Sequence, residues 1–104
     1  MEPCQSLDEV RVCIDRLDQQ IVALLGERSQ YVKQAAAFKK DTDAVKAPAR
    51  VEAVIEKVRG LALANELNPL VAEQVYRAMI AAFIDDELQE HARLQQGDND
   101  QIPR

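Results

Sequence analysis

Apolar positions in the N-terminal part of the chain recur in alternating steps of three and four, at Leu7, Val10, Ile14, Leu17, Ile21 and Leu24. That spacing holds one narrow stripe on one side of an α-helix, as in a coiled-coil seam. Ser6-Leu7-Asp8-Glu9 supplies a start, because the Ser6 hydroxyl can accept from a free helix N–H while Glu9 reaches back. Gly26 interrupts the pattern at a cost of about 1 kcal/mol relative to alanine. The register nevertheless resumes at Tyr31, Ala35 and Phe38, and the spacing predicts one very long helix from Leu7 to about Lys40.

Lys40-Asp41-Thr42-Asp43 then reads as a polar break. Pro48 suits the first turn of a second helix with the stripe Val51, Val54, Ile55, Val58, Leu61 and Ala62. Asn68-Pro69 is an N-cap followed by a first-turn proline, opening a third helix that would bury Leu70, Val75, Tyr76, Met79, Ile80, Phe83 and Leu88. From about Gln95 the sequence is polar and without period, the composition of a disordered tail. The partition expected is a flexible arm over 1–6, a helical domain over 7–94 and a tail over 95–104. Strand alternation and internal repeats are missing from the pattern, so the fold class is all-α, a three-helix subunit.

Length turns this into an argument about assembly. A chain of 104 residues fits one domain. A helix from Leu7 to Lys40 would be about 50 Å long, whereas a compact domain of this size has a radius of gyration near 13 Å. The long helix must protrude, and its stripe needs more cover than the two shorter helices can give. A symmetric homodimer with paired or interlocked long helices solves the problem.

Composition narrows the function. Thirteen Lys and Arg against eighteen Asp and Glu give a net charge of -5, which argues against a nucleic-acid binder. No apolar run approaches the length of a membrane span, and Met1–Ser6 has no signal-peptide core, so a cytoplasmic protein is expected. One histidine, His91, and two cysteines, Cys4 and Cys13, cannot make a zinc site of the usual kind without carboxylates, so no metal is assigned. Both cysteines read as reduced thiols. Glycine-rich nucleotide loops and a serine elbow are not found.

The unusual feature is a charge in the seam. Continuing the stripe from Leu24 places Arg28 on the inward face, where a charge is costly unless paired. Lys39 follows eleven residues later, which is three turns plus some 20°, on the same face and roughly 16 Å further along the axis. Arg11 lies about 25 Å before Arg28, too far to share one small ligand on the same helix, although an antiparallel partner could bring it close. Glu87 falls on the apolar face of the third helix, one turn after Phe83. Two readings stay open on periodicity alone: a solvated helix edge with ordinary i,i+4 contacts, or a buried site for a small dianion.

The stretch Arg11-x-x-Ile14-Asp15-x-Leu17-Asp18-x-x-Ile21-x-x-Leu24-Leu25-x-x-Arg28, followed by Tyr31-Val32-Lys33 and Phe38-Lys39, resembles the all-helical chorismate mutases from about Leu7 to Leu94. The resemblance implies an intertwined homodimer with two equivalent sites and no cofactor. It implies that Arg28, with Arg11 from the partner subunit, grips two substrate carboxylates. Lys39 would bind a carboxylate and the breaking ether oxygen, and Arg50 would add a further cation at the start of the second helix. Glu87 falls where bacterial members have glutamine donating to that oxygen, so Lys39 and Glu87 are the catalytic candidates. Phe83 falls where some mutases have a small polar residue, so the resemblance implies a narrower pocket here.

Two positions that are acidic in many mutases are apolar here, Ala47 and Val51. That pattern, with Ala47-Pro48, is similar to the isochorismate-pyruvate lyases of salicylate synthesis. The activity expected first is rearrangement of chorismate to prephenate. The alternatives are elimination of pyruvate from isochorismate, a related substrate such as 4-amino-4-deoxychorismate, or a non-catalytic helical dimerisation module.

Overall fold

The computed structural model describes residues 1–39 and 46–100. Three helices follow in chain order: α1 over Leu7–Ala36, α2 over Pro48–Ala64 and α3 over Pro69–Asp100. All regular structure among the described residues is helical, and the all-α, three-helix reading holds.

The helix starts follow local chemistry. Ser6 Oγ accepts from the Glu9 N–H at 3.1 Å, and the Glu9 carboxylate reaches one residue beyond the cap to accept from the Gln5 N–H at 2.6 Å. Asn68 Oδ1 accepts from the Leu70 N–H at 3.0 Å just before the proline that opens α3. At the start of α2, Ala47 is left-handed (φ 33°) and offers no side-chain cap, leaving Pro48 to set the first turn.

The ends are less local. α1 stops at Ala36, four residues before the Lys40 limit expected from periodicity. The N–H groups of Ala37, Phe38 and Lys39 donate to Gln34, Ala35 and Ala36 carbonyls at 3.2, 3.0 and 3.2 Å. These shorter closures tighten the final turn and satisfy carbonyls the helix leaves open. Phe38 thereby leaves the stripe and is 87% exposed. The polar break read at 40–43 lies outside the described residues. α3 runs to Asp100, past the Leu94 boundary expected for the helical domain and into the segment expected as a disordered tail. Gln95 and Gln96 favour that continuation, and the four residues after them do not.

The core lies between α2 and α3. Val58, Ala62 and Ala72 are buried together with Val54 and Tyr76 packed against them, while Ile55 and Ile80 are buried nearer the start of α2. On the outer face of the same pair, Glu73 accepts from Arg59 and from Arg77 Nε (2.9 Å), and Arg77 Nη2 donates to Glu52 at 3.0 Å. Hydrogen bonds from Arg77 and Arg59 hold the Glu73 carboxyl below its usual range.

α1 buries no residue at all. Its seam positions Ile14, Leu17 and Ile21 are 49%, 47% and 52% exposed, and α1 meets α3 at its C-terminal end. Leu70 and Val75, expected in the core, are each 57% exposed, because they lie on faces of α3 that neither α1 nor α2 covers. The single chain has a radius of gyration of 18.5 Å and a long dimension of 68 Å, well beyond the roughly 13 Å of a compact domain.

Candidate active site

Where the C-terminal end of α1 crosses α3, the two helices and the start of α2 enclose a cavity of about 380 Å3. Arg28 and Lys39 face it from α1 and its closing turn, Phe83 and Glu87 from α3, and Lys46 and Arg50 from the entry to α2. Arg28 and Lys39 share a face of the cavity although α1 ends at Ala36, because the closing turn carries Lys39 back over it. Phe83 and Glu87 do so because they are one turn apart. Five of the six residues singled out in the sequence therefore meet in one place. Arg11 does not; it is exposed on α1, about 25 Å along the axis from Arg28.

The charges in the cavity are lopsided. Four cations (Arg28, Lys39, Lys46 and Arg50) and one carboxylate (Glu87) leave it formally at +3, in a chain whose net charge is -5. A cleft of one sign with low-dielectric walls concentrates counter-ions of the other. The remaining wall is apolar, including Ala47, Val51 and Ile80.

Two of these cations are held in different ways. Lys39 Nζ donates to Glu87 Oε1 at 3.1 Å and to Oε2 at 3.4 Å. Glu87 is only 8% exposed, so its charge depends on Lys39 for compensation. The Arg28 guanidinium instead lies over the Phe83 ring, with its carbon 5.4 Å from the ring centroid. The seam charge read from the sequence is thus accommodated by a ring face rather than by a carboxylate. Among the described residues, no three His, Cys, Asp or Glu side chains converge as a metal ion would require. No helix among them is long and apolar enough to cross a membrane.

Lys46 was missed in the sequence. It lies before the left-handed Ala47 that opens α2, so no helical period links it to Arg50 and no spacing signal marked it. Its place in the cavity depends on how the entry to α2 approaches α1, which no local pattern encodes.

A cavity lined by four cations and one buried carboxylate, in a chain with the pattern Arg11…Arg28…Lys39, agrees with what comparison with known proteins finds. The chain belongs to the chorismate mutase type II family, whose sequence profile matches residues 10–88, and it is an enzyme of the chorismate mutase type. Among characterised proteins it is similar to the isochorismate pyruvate lyase of Pseudomonas aeruginosa, with 36% identity over 87 residues, covering 84% of this chain and 86% of the relative.

Proposed function

We propose that the cavity binds chorismate and converts it to prephenate. The observation that carries this reading is the +3 cavity, opposite in sign to a small dicarboxylate. In the rearrangement the ether C–O bond breaks as a C–C bond forms, with no covalent bond to the protein. The chain has two tasks: to hold the compact conformer that brings the two carbons together, and to stabilise negative charge growing on the ether oxygen. Arg28 grips one carboxylate and Arg50 supports the anion from α2. Lys39 lies where it can serve a carboxylate and the ether oxygen together, with Glu87 beside it as the second group for that oxygen.

The second carboxylate needs a grip of its own beyond Arg28. Arg11 of a second copy supplies it in a homodimer built on the exposed α1 seam. The exposure of Ile14, Leu17 and Ile21 supports this assembly, because a contiguous apolar face of that length is characteristic of an interface.

A second reading has its own support. Ala47 and Val51 leave the cavity wall apolar where many mutases are acidic, and the Pseudomonas relative is named a lyase. The same cations would serve elimination of pyruvate from isochorismate, in which the same ether bond breaks and a ring hydrogen passes to the departing enolpyruvyl group. The test is to incubate the purified protein with chorismate and isochorismate separately and identify prephenate, or salicylate with pyruvate. Prephenate formed at the higher kcat/KM supports the first reading, and salicylate with pyruvate the second. Turnover of neither substrate overturns both.

A further inference from the structure

Behind the cavity lies a second one of about 360 Å3, between the closing turn of α1 and the C-terminal half of α3. The two share Val32, Lys39, Phe83 and Glu87, so these side chains form the partition between them. Phe83 is half-buried, with open space on both sides of the partition. The Arg28 guanidinium rests over its ring at 5.4 Å, within the range of a cation–π contact. Among the described residues, no carboxylate forms an ion pair with Arg28.

We infer that Phe83 is a positioning residue for Arg28, holding its guanidinium over the ring so that the charge and the N–H donors stay available to the substrate. This rests on the reading of the cavity as a dianion site. The physical difference lies in what each kind of partner consumes. A carboxylate would occupy two of the five guanidinium N–H donors and cancel the charge, and a substrate carboxylate would have to displace it. A ring face attracts the cation through its quadrupole and takes up none of its N–H donors in a hydrogen bond to a carboxylate. A second cation of the cavity, Lys39, is arranged oppositely, with Glu87 neutralising it. One wall thus carries an already compensated cation and, a turn away on α3, the support for an uncompensated one. Phe83 acts here through Arg28, beyond narrowing the space.

The test combines kinetics with a spectroscopic signature. Phe83→Leu keeps an apolar side chain but removes the π face, and Phe83→Tyr keeps the face. With chorismate and with isochorismate, Phe83→Leu is expected to lower kcat/KM about 3- to 30-fold, mainly through KM, and Phe83→Tyr to stay within about 2-fold of the parent. In an Arg28→Ala background, Phe83→Leu should cost markedly less than it does in the parent. An equal additional loss there, or equal activity of the leucine variant and the parent, overturns the inference. In parallel, the Arg28 Nε–Hε signal in a 15N-correlated NMR spectrum, assigned by its loss in Arg28→Lys, should be shifted upfield by the ring in the parent and tyrosine proteins and move back in Phe83→Leu. A signal at the ordinary position in the parent, or one unmoved by Phe83→Leu, also overturns it. The NMR readout needs no turnover, so inactivity towards both substrates would refute the proposed function while leaving the Arg28–Phe83 relationship to be decided separately.

Discussion

Lys39 Nζ lies 3.1 Å from Glu87 Oε1, joining the closing turn of α1 to the middle of α3 across a residue that is almost fully buried. As it stands, the carboxylate accepts from the lysine. To donate to a substrate ether oxygen, a carboxyl group must carry a proton, whereas an amide donates at any ordinary pH. Glu87→Gln removes the compensating charge from Lys39 and supplies a permanent donor, so it should raise kcat/KM if that donor is what the ether oxygen needs. The measurement is kcat/KM against pH for both proteins. Loss of activity by Glu87→Gln across the whole range would show that the ionised carboxylate works by fixing Lys39.

Arg28→Ala and Lys39→Ala should each leave the helical content intact and remove most activity. Loss of one preorganised charge contact to a transition state typically costs about 2.7–4 kcal/mol, or 100- to 1000-fold in kcat. Arg28→Ala should be the gentler change for stability, because it leaves only a ring without its cation. Lys39→Ala strands the buried Glu87 charge and should lower the melting temperature as well. Steady-state kinetics and circular dichroism melts check both statements, and near-parental turnover by either variant would refute the site.

Arg11 tests the assembly. Subunits carrying Arg11→Ala and subunits carrying Arg28→Ala should each be inactive alone. Mixed and allowed to exchange, they place both defects in one site of a heterodimer and leave the other intact, so random pairing should recover roughly a quarter of parental activity. Heterodimers that form, detected with two different affinity tags, and stay inactive would show that Arg11 does not serve a partner's cavity.

The outer ion-pair network predicts an acid limb in stability. Arg77 and Arg59 hold the Glu73 carboxyl below its ordinary value of 4.5. The folded state thus binds its proton more weakly than the unfolded chain, and the stabilisation is complete above that ordinary value and lost as pH falls through the folded one. Glu73→Gln should melt at a lower temperature than the parent at neutral pH, and the gap should narrow as the pH is brought down below 4.5. Parallel melting curves with a constant gap would rule out Glu73 as the titrating contact.

How far the sequence carried depended on how local each feature is. Ser6 and Asn68-Pro69 set helix starts within three or four residues, so both starts were legible. The end of α1 was not, because Ala35-Ala36-Ala37 contains no stop signal and the closing turn is a matter of backbone geometry. Their separation placed Arg28 and Lys39 on one face, and the closing turn beyond Ala36 keeps Lys39 over it. That Phe83 supports the first and Glu87 pairs with the second depends on how α1 crosses α3, which residue spacing within one helix cannot report. Leu70 and Val75 illustrate the same limit for the core. Periodicity finds an apolar face and is silent about what covers it.

The absence of any buried residue in α1 bears on how this protein would behave when dilute. A helix of thirty residues that hides nothing within its own chain has little tertiary contact to offset its conformational entropy. In the proposed homodimer, most of its cohesion would come from the second copy, and melting would become a bimolecular equilibrium. The midpoint of thermal unfolding would then climb with protein concentration. Assays at nanomolar enzyme would sample a different population from those at micromolar. Specific activity would sag on dilution, and a saturating dianion bound between two copies would restore it.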